Sequence, residues 1–311
     1  MQDAGQGERF VYTKLSNPQR KQKKRRQPRS GAVELTKAEL LERRIEIVES
    51  KKQWLSDEAT RVGKSIRAFL QKAFPGTEQG VKTDDDDASS SDSFHTAEGP
   101  SSPTEVLCLG LGSVKDSRPA QLQLAFLLLI VDRFLAITGQ GALMQAYDPI
   151  WDAEDKELLA HFGIKSLSSN ERGAYPISKD IPTLVYMPHC TQSLYEALLQ
   201  TNWTPAQIGK LSLLSNDLSR YDRNAEESSC TTRFARHIEK IDVPTLPSPN
   251  NDALNDLALQ RLVSVQPAAP SSSSLTDTLG RLSLNSTVAK HHDFWTLPHP
   301  LTDKDHDSEV I

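Results

Sequence analysis

Apolar residues recur at steps of three, four or seven through Leu41, Ile45, Val48, Leu55, Ala59, Val62, Ile66 and Phe69, which predicts one amphipathic helix over residues 36–75. Thr36 and Glu39 have capping-box spacing at its start, and Phe74-Pro75-Gly76 stops it. Lys52 interrupts the stripe and Gly63 is its weak point. A stripe of this kind packs either on the domain that follows or against a partner helix as a coiled coil. From Thr104 the pattern changes to short apolar runs alternating with helical segments. Strands are predicted at Val106–Gly110, Ala142–Tyr147, Ile164–Leu167, Thr183–Met187 and Lys210–Leu214. Helices are predicted at Ala120–Thr138, capped by Ser117 and opened by Pro119, and at Ala153–Phe162, Leu194–Gln200 and Glu226–Ile241. A last strand falls at Leu257–Leu259 or Leu262–Val265. Because the strands are continuous apolar runs rather than alternating ones, they point to a mostly parallel sheet covered on both faces. The expected fold is α/β and Rossmann-like, preceded by the long amphipathic helix and flanked by disordered tails.

Charge sharpens these boundaries. The chain has 311 residues and a formal charge of −5, yet residues 1–35 hold nine Lys/Arg against three Asp/Glu, so the basic arm precedes an acidic remainder. Seven of the ten residues Arg20–Arg29 are cations; a run like this cannot bury apolar area and is expected to be disordered. It fits a nuclear import signal, a nucleic-acid contact or neither, and no aromatic residue interleaves with it to stack a base. Residues 76–103, with Asp84–Asp87 and a Ser-rich stretch, read as an acidic linker, residues 104–265 as the α/β domain and residues 266–311 as a disordered tail. Leu275, Leu279, Leu282 and Leu284 offer a short partner-binding helix in that tail, while His291, His292 and His299 are too sparse for a metal site. Protein partners are expected through the 36–75 helix or the tails.

Cys108, Cys190 and Cys230 are isolated from one another, which excludes a disulfide framework or a paired-cysteine zinc site and fits a reducing compartment. The longest apolar run, Leu124–Val131, is eight residues, against the ~20 that span a bilayer, and no secretory signal opens the chain. A cytoplasmic, and also nuclear, location is the expectation, with no membrane contact.

In an open α/β sheet, ligands bind outside the carboxyl ends of the strands. The residues there are Gly110, Gly112 and Ser113 after the first strand, Asp148 after the second, Asn170 and Glu171 after the third, His189 and Cys190 after the fourth, and Asn216 after the fifth. These are the candidate ligand-binding residues, although Gly, Asn, Asp and Ser also terminate strands everywhere. The glycine pair lets backbone approach a phosphate or an adenosine, but Lys115 stands where a third glycine would complete a dinucleotide fingerprint. Asp148 could hold two ribose hydroxyls or act as a turn residue before Pro149. His189 and Cys190 read as a base with a nucleophile, as soft metal ligands or as one packing residue beside one exposed residue, since neighbours in a strand face opposite ways. No GxSxG, Walker A or HExxH motif is present, and no catalytic pair is spelled out.

Several stretches together carry a resemblance. Cys108-Leu109-Gly110-Leu111-Gly112-Ser113, Gln121–Leu129, Tyr147-Asp148-Pro149, Asn170-Glu171-Arg172-Gly173, and Thr183–Cys190 with Leu194-Tyr195 and Asn202-Trp203 resemble the Sensitivity to Red Light Reduced family over about residues 104–265. Asn255–Gln260 is similar to the family's closing segment with Gln260 where His is frequent, and Leu214-Ser215-Asn216 is similar to its Gly-Asn-Ser turn without the glycine. The resemblance implies a regulatory protein tied to circadian rhythm and light signalling in plants, and to haem biosynthesis and clock output in animals and fungi. It implies no catalytic residues. The alternative raised by Gly110, Gly112 and Asp148 is a transferase using S-adenosylmethionine or a nucleotide; haem on His189 or Cys190 is a further option.

Overall fold

The computed structural model of the chain describes residues 35–76, 102–221, 229–263 and 292–296. The basic run Arg20–Arg29, the Asp84–Asp87 linker, the leucines from Leu275 to Leu284, His291 and His299 lie outside the described residues. Helices α1 (Lys37–Ser56) and α2 (Arg61–Ala73) come first, followed by β1 (Glu105–Leu109), α3 (Arg118–Thr138), β2 (Leu143–Tyr147), α4 (Ala153–His161), β3 (Ile164–Ser166) and β4 (Thr183–Met187). Then come α5 (Gln192–Thr201), α6 (Pro205–Ile208), β5 (Leu211–Asn216), α7 (Cys230–Ala235), β6 (Ile238–Asp242), α8 (Asn251–Leu254), β7 (Leu257–Leu262) and α9 (His292–Trp295).

The strands form one sheet in the order β3-β2-β1-β4-β5-β7-β6. β1 to β5 run parallel, β7 is antiparallel to β5, and β6 is antiparallel to β7. Alternate residues of each central strand enter opposite cores, as a period of two requires. Val106, Cys108, Leu184 and Tyr186 pack with α1, α2, α3, α4 and α8, whereas Leu107, Leu109, Val185 and Met187 pack with α5 and α7. The fold is therefore the expected Rossmann-like α/β arrangement with helices on both faces.

Two expectations change. The 36–75 helix is broken into α1 and α2: the N–H and hydroxyl of Thr60 both donate to the Asp57 carbonyl, and Thr60 Oγ1 then caps α2 by accepting from the Gly63 N–H. Gly63 is no weak point, since a Cβ there would sit 2.1 Å from the Asp57 carbonyl oxygen and prevent the two helices from meeting at this angle. The stripe packs in cis, with Val48, Leu55, Ile66 and Phe69 buried, and Lys52 reaches past it to Asp132 of α3 at 2.8 Å. The predicted helix at Glu226–Ile241 ends at Ala235, and Ile238–Asp242 is an edge strand. Its Glu239, Lys240 and Asp242 side chains are exposed, the charged composition that keeps a sheet edge from pairing further and that also reads as helix.

Among the described helices, α3 is long and apolar enough to cross a membrane, with 21 residues that include an 18-residue window of mean hydropathy 1.8. In the fold it is the central core helix, buried continuously from Ala120 to Ile130, because the sheet covers one side and α1 the other. A helix apolar all round needs such cover on both sides. Its ends are as expected: Ser117 accepts from the Ala120 N–H, and Gly139 closes it at φ 69°.

Candidate functional site

The parallel order reverses between β1 and β4, and the strand ends on either side of that point form a crest of polar and permissive groups. β1 runs into a loop with Gly110 at φ 68° and Gly112 at φ 81°, both in the left-handed region that glycine tolerates. The loop is braced by β2 and α4. Asp148 Oδ2 accepts from the Gly112 N–H at 2.7 Å and Oδ1 accepts from the Ile150 N–H at 3.0 Å, while the Trp151 indole N–H donates to the Gly112 carbonyl at 2.8 Å. The Asp155 carboxylate accepts from Ser113 Oγ at 3.1 Å and from the Lys115 N–H at 3.0 Å, and the Lys115 ammonium pairs with Asp152. Both backbone groups of Gly112 are thus engaged by side chains of this chain.

β4 ends at Met187, so His189 and Cys190 stand in the turn beyond it rather than in the strand. As expected of neighbours, they part: His189 is exposed and Cys190 is buried. His189 takes φ 54°, donates its N–H to Asn216 Oδ1 at 2.9 Å, and brings Nε2 to 3.2 Å from the Ala253 carbonyl. Cys190 lies against Gly110, where a Cβ would come within 2.5 Å of its sulfur. Burial, reinforced by the nearby Asp148 charge, pushes the Cys190 thiol up to about 12, so it is protonated at neutral pH and weakly nucleophilic. Burial pushes Cys108 and Cys230 up as well.

Asn216, the last residue of β5, ties the crest together by also donating to the Cys190 carbonyl at 3.4 Å and the Tyr221 hydroxyl at 3.0 Å. Gln260 is fully buried and donates to Ser215 Oγ and the Asn216 carbonyl, both at 3.0 Å, while accepting from the Leu218 N–H at 2.9 Å. This amide matches two acceptors and one donor at once.

The structure therefore gathers the candidates into two bonded groups, Gly112 with Asp148 and His189 and Cys190 with Asn216, which meet where Cys190 packs against Gly110, with Ser113 on the α4 side. Asn170 and Glu171 do not join them. Asn170 Oδ1 accepts from the Arg172 N–H at 2.9 Å, and the Glu171 N–H donates to Tyr175 Oη at 3.2 Å, so both bonds stay inside the loop after β3. Trp151 and Asp155, the two braces of the glycine loop, were not among the expected site residues; their only sequence signal is proximity to the Asp152 cap of α4. Among the described residues no group of three or more His, Cys, Asp or Glu is placed to hold a metal.

Residues 70–261 match the profile of the SRR1 domain. The chain belongs to the SRR1 family. It is 31% identical over 112 residues to the SRR1-like protein of Mus musculus, covering 36% of this chain and 43% of that one. It is 30% identical over 132 residues to Protein SENSITIVITY TO RED LIGHT REDUCED 1 of Arabidopsis thaliana, covering 42% and 46%. A third relative, the SRR1-like protein of Drosophila melanogaster, is 27% identical over 159 residues, 50% and 53% of the two chains. The chain thus spans about half the length of the curated relatives it matches, and no solved structure matches it. The matched segment begins inside α2, so α1 lies outside it.

Proposed function

We propose that this SRR1 family protein is a non-catalytic regulator in light and circadian signalling, with control of haem biosynthesis as a further output, and that it acts by presenting its α/β domain to a protein partner. The similarity to the Arabidopsis red-light sensitivity protein supports the signalling side. The observation that carries the mode of action is the bonding of the crest. Asp148 holds the Gly112 and Ile150 amides, Trp151 holds the Gly112 carbonyl, His189 meets Asn216 and the Ala253 carbonyl, and Cys190 is a buried, protonated thiol, so the candidate base, nucleophile and ribose acid are each engaged by the fold.

The second reading, a transferase with S-adenosylmethionine, draws on the reversal of strand order beside two positive-φ glycines. One experiment separates the two. The full chain and its His189→Ala variant are expressed in Arabidopsis lacking its red-light sensitivity protein, and both are tested for thermal stabilisation by S-adenosylmethionine and by haem. Restoration of the red-light response by both forms, with neither ligand raising Tm, is the expected result. A ligand at ~100 times its Kd adds about 2.7 kcal/mol, several degrees here. Such a shift with S-adenosylmethionine, together with loss of restoration in His189→Ala, would replace the regulator with the transferase.

A further inference from the structure

Where α1 meets the start of α3, a cleft of about 530 Å³ is left, also lined by Asn250 just before α8. Its size falls within the ~300–1,000 Å³ of small-molecule sites. Arg43 and Lys51 of α1 and Arg118, the first residue of α3, line it against a single acid, Glu46. Neighbouring cations on the same elements have carboxylate partners: Arg44 meets Glu154 at 3.0 Å, and Lys52 meets Asp132 at 2.8 Å. Arg43, Lys51 and Arg118 make no ion pair with any described residue. Burial and the positive charge of Arg118 both lower the Lys51 ammonium from its ordinary value, as expected where cations converge without an anion between them.

Two further groups describe what else the occupant carries. Trp54 lines the same cleft, is half-buried, and makes no hydrogen bond through its indole N–H to a described residue, so a planar ring can pack there. Asn250 Oδ1 is shielded from solvent without a hydrogen-bond partner, an arrangement that costs free energy until a donor reaches it.

We propose that the cleft between α1 and the start of α3 binds a nucleoside phosphate, its phosphates held by Arg43, Lys51 and Arg118 and its ring packed against Trp54. Glu46, the acid of the lining, accepts from a sugar hydroxyl. None of the residues lining the cleft belongs to the crest, and the proposal does not depend on how the crest is read.

The test is titration calorimetry on the full chain with ATP, adenosine and tripolyphosphate. ATP is expected to bind, adenosine not to bind measurably, and tripolyphosphate to bind at least tenfold more weakly than ATP. Lys51→Ala and Arg118→Ala should each weaken ATP about tenfold with unchanged circular dichroism, and Trp54→Leu should narrow the gap between ATP and tripolyphosphate. The arm residues Arg20–Arg29 can attract polyphosphate without a site, so ATP affinity that is unmoved in both cation variants overturns the proposal. Equal affinity for ATP and tripolyphosphate removes the nucleoside from it. Binding of a single-stranded oligonucleotide but not ATP would make the surface a nucleic-acid contact and would also overturn it.

Discussion

Gly110 is held to glycine by two separate terms. Its φ of 68° costs an L-residue about 1–2 kcal/mol, and a Cβ would stand 2.5 Å from Cys190 Sγ, a clash of about 1–3 kcal/mol in a packed interior. Gly110→Ala should therefore lower the unfolding free energy by both amounts, whereas Gly110→Ala with Cys190→Ala keeps the dihedral cost and loses the clash. In urea unfolding the double variant is expected to be at least ~1 kcal/mol more stable than the sum of the single changes predicts. Additive effects would mean that Cys190 does not press on the glycine loop. Asp148 shows how far such detail was legible beforehand. Its place at a strand end follows from the apolar run before it, and a turn role was one of the two readings open from sequence. That its carboxylate bonds Gly112, 36 residues away, depends on β1 and β2 being neighbours, and no local pattern states that.

At the scale of elements, the cover that α1 gives α3 makes a prediction with a large effect. A chain beginning at residue 60 keeps α2 and the whole SRR1-matched segment but uncovers the outer side of α3, where Val48 and Leu55 of α1 are fully buried. It is expected to aggregate or to bind hydrophobic dyes, as large exposed apolar patches do. A milder test is Leu55→Ala in the full chain, which should cost about 2–5 kcal/mol and lower Tm by several degrees or more. A monomeric, dye-silent truncated chain with the melting temperature of the parent would show that α1 is dispensable. The apolar stripe of α1 and α2 was legible because periodicity is local, and so were β1 to β5 as short apolar runs, of which β1, β4 and β5 are the buried ones. The break at Asp57–Thr60 was not, because a single stripe passes through both helices in phase. Nor was β6, since an edge strand with charged side chains has no apolar alternation to read.

Across the whole molecule, the segments that flank the SRR1-matched region fold back onto opposite faces of the sheet. α1 joins the core of α3 and α4, while Phe294 and Trp295 of α9 pack beside the core of α5 and α7. This second return corrects the reading of residues 266–311 as a disordered tail, in which the Ser-rich composition outweighed the isolated Phe294-Trp295 pair. Trp203 anchors it: the ring centroids of Phe294 and Trp295 lie 5.2 and 5.7 Å from its own, and its indole N–H donates to the Phe294 carbonyl at 2.9 Å. Arg233 donates to the same carbonyl at 3.2 Å and to that of Thr296 at 2.6 Å, and His237 meets the Phe294 ring at 5.4 Å. Aromatic pairs add about 0.5–1.5 kcal/mol each beyond area burial, and the chain entropy lost when α9 is held against the domain offsets part of that gain. A chain ending at residue 290 should therefore lose a few degrees of Tm and show faster amide exchange in α7 and around Trp203. Phe294→Ala with Trp295→Ala in the full chain should reproduce both changes, because the contact and not the length of the chain is responsible. If exchange at α7 were the same in all three proteins, the segment would not dock in solution and Trp203 would be held by α5 and α7 alone.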